Sequence, residues 1–152
     1  MAQRRSILVV DDELGPRESL RMILKPIYEV HTAASGQEAL QFINKEKIDL
    51  VTLDLKMPGI AGLEVLREIK KNQEDIEVII ITGYGTLANA MEAIQYGAVD
   101  FISKPFNVAD IVAVISKSME RRNLRQKIKE LSEKIKESLM MEENPQGESS
   151  VH

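Results

Sequence analysis

Residues 7–13 read Ile7-Leu8-Val9-Val10-Asp11-Asp12-Glu13. Four apolar residues run without alternation and stop abruptly at three acids. A strand with one wet face alternates apolar and polar side chains. A continuous, β-branched run marks a strand covered on both faces, as in a parallel sheet. Four further runs follow the pattern: Tyr28 to Ala33, Ile48 to Leu53, Val78 to Ile81 and Val99 to Ile102. Between them lie stretches with apolar residues at helical spacing. Residues 17–25 carry Leu20, Ile23 and Leu24; a helix opened at Ser35 carries Ala39, Leu40 and Ile43. Residues 62–71 carry Leu63, Val65, Leu66 and Ile69; residues 86–96 carry Leu87, Ala90, Met91 and Ile94. This alternation predicts an α/β fold, a doubly wound five-stranded parallel sheet in the order 2-1-3-4-5. Strands 1 and 3 are neighbours in that order, and the ligand crevice lies at their carboxyl ends.

Composition narrows the function. The chain has 152 residues, enough for one domain with little left over. A net charge of -4 argues against a whole-chain grip on nucleic acid or anionic lipid. There is no Cys, which excludes disulfides, Cys-ligated metals and a thiol nucleophile. With only His31 and His152, a Ser-His-Asp triad or multi-His metal site is close to excluded. The apolar runs are far shorter than the ~20 residues of a membrane span. Arg4-Arg5 before Ile7 mimics a signal peptide, but the run ends at Asp11, far too soon. The expectation is a cytoplasmic protein without membrane contact. His31 reads as a structural or surface residue, and Met22, Met57 and Met91 as fillers of irregular packing.

The last helix outruns the domain. Asn107 is a natural N-cap, and the helical pattern then continues to about Met141, with no Pro until Pro145. Leu124, Ile128, Leu131 and Ile135 step by 4, 3 and 4, an a/d seam that Ser138 breaks. The expected division is a domain over 5–122, a helical linker with a short coiled coil over 123–141, and a disordered tail over 142–152. A basic run from Arg121 to Lys129 is followed by Glu130, Glu133 and Glu137. It reads as a solvated coiled-coil flank rather than a nucleic-acid arm.

Polar residues gather at one rim of the expected sheet. Asp11 and Asp12 follow strand 1, Asp54 ends strand 3, Thr82 ends strand 4, and Lys104, with Pro105 after it, ends strand 5. A lone Asp after a strand is most often a turn or cap residue. Four strand ends delivering polar groups to one edge make that reading poor. Three carboxylates sum to -3, and Lys104 brings the site to -2. Hard oxygen ligands without His or Cys select Mg²⁺. A carboxylate beside Mg²⁺ and Lys is a plausible nucleophile toward phosphorus, and Thr82 offers a hydroxyl to the product oxygens.

At this point the motifs resemble a known family. Ile7 to Glu13, Leu53-Asp54-Leu55-Lys56-Met57-Pro58-Gly59, Ile81-Thr82-Gly83 and Lys104-Pro105-Phe106 look like receiver domains of two-component response regulators, which have a flavodoxin-like fold. The resemblance covers roughly residues 5–122. It implies a phosphorylation-activated switch, not a conventional enzyme: a receiver catalyses its own Mg²⁺-dependent phosphorylation and dephosphorylation. Asp54 would accept the phosphoryl group from a sensor histidine kinase. Asp11, Asp12 and Asp54, with the backbone carbonyl of Lys56, would hold Mg²⁺. Lys104 would pair with the phosphoryl group, Thr82 would be the switch hydroxyl and Phe101 the switch aromatic. The bond before Pro105 is usually cis in this family. Thr82 to Thr86 and Gly97 to Phe106 are similar to the nitrogen-regulatory class, whose receivers precede the ATPase of σ54-dependent activators. The last helix is similar to that class's dimerising linker, so a homodimer is expected. No ATPase and no helix-turn-helix follow within this sequence.

Two rivals share parts of the pattern. Haloacid-dehalogenase phosphatases also place an Asp nucleophile after a strand, but expect a second Asp two residues on, where this chain has Lys56. A pseudo-receiver would have lost an acid or the lysine, and this chain keeps all of them. Lys56 and Tyr84 should overhang the approach of water to the phosphoryl group; neither accepts a proton from that water, which predicts slow hydrolysis.

Overall fold

A computed structural model describes residues 4–83 and 85–143, with only the backbone of Glu143. Five strands alternate with five helices. They are β1 (Ser6–Val10), α1 (Leu14–Leu24), β2 (Glu29–Ala33), α2 (Gly36–Lys45), β3 (Leu50–Leu53), α3 (Gly62–Asn72), β4 (Glu77–Thr82), α4 (Leu87–Gln95), β5 (Asp100–Ser103) and α5 (Val108–Glu143). The strands form one sheet in the order β2-β1-β3-β4-β5. Every pairing is parallel. The fold is the flavodoxin-like α/β fold that the strand pattern predicts, and α5 is long.

Successive side chains of a strand point to opposite faces, so a continuous apolar run feeds two cores. Leu8, Val10, Val51, Leu53, Val78 and Ile80 pack with Ala39 and Ile43 of α2, Val65, Leu66 and Ile69 of α3, and Ala93 of α4. Ile7, Val9, Leu50, Ile79 and Ile81 pack with Leu20 and Leu24 of α1 and Ile111, Ile115 and Met119 of α5. Ile7, Leu8 and Val9 are fully buried, each contributing about 1.5–3 kcal/mol of transfer free energy. Truncating one of them, Leu8→Ala, costs about 2–5 kcal/mol.

Local chemistry explains most boundaries. Ser35 Oγ accepts the Glu38 N–H at 3.1 Å while Glu38 Oε1 accepts the Ala34 N–H at 3.0 Å, a close relative of the capping box. Asn107 Oδ1 accepts the N–H groups of Ala109 and Asp110 and opens α5. α1 begins at Leu14, three residues before the expected Arg17. Gly15-Pro16 looks like a breaker, but Pro in a first helical turn has no donor to lose. α5 continues through Glu143, two residues into the stretch expected as tail, because no helix breaker precedes Pro145; the remainder of that tail lies outside the described residues. Met57 is packed as a filler, whereas Met22 and Met91 are exposed on outward helix faces. The chain divides into two compact units between Met119 and Glu120. Among the described residues no helix is long and apolar enough to cross a membrane.

Candidate functional site

Chain crossovers from β1 and β3 leave on opposite faces of the sheet, so their carboxyl ends border a crevice. Asp54 is the rung just beyond the paired residues of β3: its N–H donates to the Val10 carbonyl at 3.1 Å. The Asp11 N–H donates likewise to the Ala33 carbonyl at 3.1 Å. Both carboxylates are thereby fixed to the sheet rather than to a mobile loop, and both are buried. Carboxylate oxygens of Asp11, Asp12 and Asp54 lie within 4.8 Å of one another, with Asp12 exposed toward solvent.

Three donors converge on Asp54. Thr82 Oγ1 donates to Oδ1 at 2.6 Å, the Lys56 N–H donates to Oδ1 at 3.0 Å, and Lys104 Nζ donates to Oδ2 at 2.9 Å. A carboxylate bonded by three donors is held in one orientation. Lys104 also donates to Asp11 Oδ2 at 2.6 Å, and Glu13 Oε1 stands 3.9 Å away. Burial opposes the charge of Lys104, but hydrogen bonds to Asp11 and Asp54, and their negative charge, outweigh it and raise its pKa. The ammonium therefore bridges the two buried carboxylates, offsetting one of three negative charges. A cavity of about 580 Å³ opens over Asp12, Asp54, Lys56, Thr82 and Lys104. The three clustered carboxylates are oxygen donors of the kind that suit a hard divalent cation.

The structure thus brings together Asp11, Asp12, Asp54, Lys56, Thr82 and Lys104. Phe101, half-buried on β5, stands one shell out: a Cβ on Gly85 would meet its ring at 2.6 Å and the Thr82 methyl at 3.4 Å. The Lys104–Pro105 bond is cis. A Cβ on Gly83 would meet nothing closer than 3.6 Å, so that glycine is not required by space. Tyr84 lies outside the described residues. His31 holds Nε2 2.8 Å from Glu29 Oε2, and its ring lies tilted at 42° to that of Phe42, centroids 4.8 Å apart.

Sequence reasoning missed Arg17, whose guanidinium donates to the Asp11 carbonyl at 2.8 Å and steadies the loop after β1. It also missed Gly62, which a side chain would drive into the backbone of Asp54 and Leu55. Neither stands out in the sequence, because each acts on the backbone of a loop six to eight residues before it, a contact that only the folded turn creates.

The model of the family described as response regulator receiver domain matches residues 7–116. The chain belongs to this family. Among its relatives, the sporulation initiation phosphotransferase F of Bacillus subtilis is 41% identical over 112 residues, covering 73% of this chain and 90% of that protein. A CheY-like receiver from Methanospirillum hungatei superposes with a TM-score of 0.79 at 31% identity, covering 81% of this chain and 99% of that one. NtrX from Brucella abortus gives 0.80 at 36% identity, covering 85% of this chain but 30% of its own. The receiver also spans about half the length of the ycf27 transcriptional regulators it matches. As a receiver, it is a signal-transduction domain of a two-component response regulator rather than a conventional enzyme.

Proposed function

We propose that this receiver is switched by phosphorylation of Asp54. A sensor histidine kinase presents a phosphohistidine at the cavity. An Asp54 oxygen forms a bond to phosphorus, the phosphorus–nitrogen bond of the donor breaks, and its electron pair returns to the imidazole. Asp11, Asp12 and Asp54, with the Lys56 carbonyl, would hold Mg²⁺, which would supply positive charge to neutralise the transferring oxygens. Lys104 leaves its bridge between the carboxylates and pairs with the phosphoryl group. Thr82, already aimed at Asp54, donates its hydroxyl to a phosphoryl oxygen, and Phe101 follows Thr82. The observation that carries this reading is the Asp54 carboxylate held by Thr82 at 2.6 Å and Lys104 at 2.9 Å beside two further acids. Acetyl phosphate with Mg²⁺ should add one phosphoryl group to the intact mass; chelator or Asp54→Ala should abolish it. Full labelling of Asp54→Ala would end the proposal.

The output passes through the oligomeric state. Leu124, Ile128, Leu131 and Ile135 are all about half exposed or more. Ile stands at both a positions and Leu at both d positions, the combination that favours parallel two-stranded coils. In a parallel pair, Glu120 at g faces Arg125 at e of the second copy. In an antiparallel pair, Lys127 and Lys134, both at g, face each other. Charge therefore selects the parallel homodimer. The motifs at Thr82 to Thr86 and Gly97 to Phe106, with the likeness to NtrX, support placement in the nitrogen-regulatory class. We assign to this chain no direct contact with nucleic acid and a cytoplasmic setting.

A further inference from the structure

Gly62, the first residue of α3, is buried and packs against the backbone of the phosphoacceptor and its neighbour. Its N–H donates to the Leu55 carbonyl at 3.1 Å. A Cβ built on it would stand 2.5 Å from Leu55 Cα, 2.6 Å from the Asp54 carbonyl oxygen and 2.9 Å from the Leu55 carbonyl oxygen. All three are backbone atoms. Carbon atoms rest about 3.5–4.0 Å apart, so an added methyl needs a backbone shift of roughly 1 Å.

The surroundings decide which part moves. On one side Asp54 is tied to Val10 through the sheet and held at its carboxylate by the side chains of Thr82 and Lys104. On the other, α3 is anchored by Val65, Leu66 and Ile69, all essentially without exposure. Between them lies the loop from Leu55 to Ala61, pinched shut at its base by the Gly62–Leu55 hydrogen bond. Lys56, the second loop residue, donates its N–H to Asp54 Oδ1 at 3.0 Å. The displacement therefore falls on the loop, at Leu55 and through it on Lys56, the next residue.

We infer that Gly62 is a positioning residue for the cation site: its missing side chain lets α3 clamp the loop base and so sets the Lys56 backbone against Asp54. This rests on the reading of Asp54 and the Lys56 carbonyl as Mg²⁺ ligands. The effect is not general tightness of packing, and the molecule carries its own control. A Cβ on Gly36 would overlap just as closely, at 2.5 Å, but with a side-chain methyl of Val65; the loop backbone it faces, the Ile60 carbonyl oxygen, stands at 3.4 Å, an ordinary contact that needs no shift.

The test compares the full chain with Gly62→Ala and Gly36→Ala. Mg²⁺ affinity is read by titration calorimetry, and the Lys56 amide proton by NMR without Mg²⁺. Trimethylamine oxide is present throughout to favour the compact state, so a loss of stability does not hide the answer. Gly62→Ala should weaken Mg²⁺ about 10–100-fold, the usual cost of losing support behind a ligand, and shift the Lys56 amide. Gly36→Ala should keep the parent's affinity within about twofold. Equal weakening in both variants, or an unchanged affinity or Lys56 amide in Gly62→Ala, overturns the inference. A parent that binds no Mg²⁺ overturns the ligand reading beneath it, an outcome the parent titration shows by itself.

Discussion

Replacing Lys104 with Met removes one positive charge from between two buried carboxylates while keeping an apolar stem of similar length. Lys104 Nζ lies 2.6 Å from Asp11 and 2.9 Å from Asp54. The lysine side chain is 14% exposed, and the carboxylates 3% and 6%. At an effective dielectric of about 20 each contact is worth several kcal/mol gross, most of it offset by desolvation. What the substitution leaves behind is two buried carboxylates without their cation, a loss of about 3–5 kcal/mol. One side of the site opens on the cavity, so the value expected for Lys104→Met is about 3 kcal/mol, a large share of the ~5–15 kcal/mol of a typical domain. Mg²⁺ replaces the missing charge. The variant site carries -3 where the parent carries -2, so Mg²⁺ should bind the variant more tightly. A tenfold difference in affinity would close the gap by about 1.4 kcal/mol at saturating Mg²⁺. The sign with pH follows from the raised pKa of Lys104. Stability from the pairing is complete below the ordinary lysine value of about 10.4 and is lost only as pH rises through the higher folded value. The parent–variant gap should stay level from about pH 7 to 9 and close in strong alkali. Urea unfolding with and without Mg²⁺ measures all of this. Equal stabilities, or a gap that Mg²⁺ does not reduce, would refute the reasoning.

Gly85→Ala places a methyl where the Phe101 ring sits; phosphate incorporation at Asp54 should persist while the amide shifts that beryllofluoride induces along α4 shrink, and an undiminished response refutes a role for that seat. Leu131→Lys puts a charge at a central d position; sedimentation should move from dimer to monomer while unfolding of the receiver changes by less than about 0.5 kcal/mol, and an unchanged dimer refutes the seam. Lys56→Asn with Tyr84→Glu supplies groups able to orient an attacking water; the phosphorylated protein should lose phosphate faster than the parent, and equal or slower loss refutes the expected shielding.

The strand runs and the acids that end them were legible because a parallel sheet buries both faces of a strand and delivers its carboxyl ends to one rim. That logic placed Asp11, Asp12, Asp54, Thr82 and Lys104 together without coordinates. It left Lys104 waiting for a phosphoryl group, whereas the ammonium already binds Asp11 and Asp54, a contact spanning 93 residues to Asp11. The start of α1 was hidden because Gly15-Pro16 is a breaker in mid-helix and harmless in a first turn. The outward stripe of Leu87, Met91 and Ile94 on α4 reads in sequence like a core face, since apolar spacing does not state which side is covered. Gly62 and Gly85 matter for what lies across from them, and one sequence holds no record of a neighbour met only in three dimensions.

The most direct test of the central claim is to locate the phosphoryl group chemically. An aspartyl phosphate is an acyl phosphate, which borohydride reduces to an alcohol, converting the modified Asp to homoserine. The protein treated with acetyl phosphate and Mg²⁺, then reduced and sequenced by tandem mass spectrometry, should carry homoserine at position 54, with none when Mg²⁺ is chelated. Homoserine at Asp11 or Asp12 instead, or its absence from position 54 under full Mg²⁺, would contradict the account.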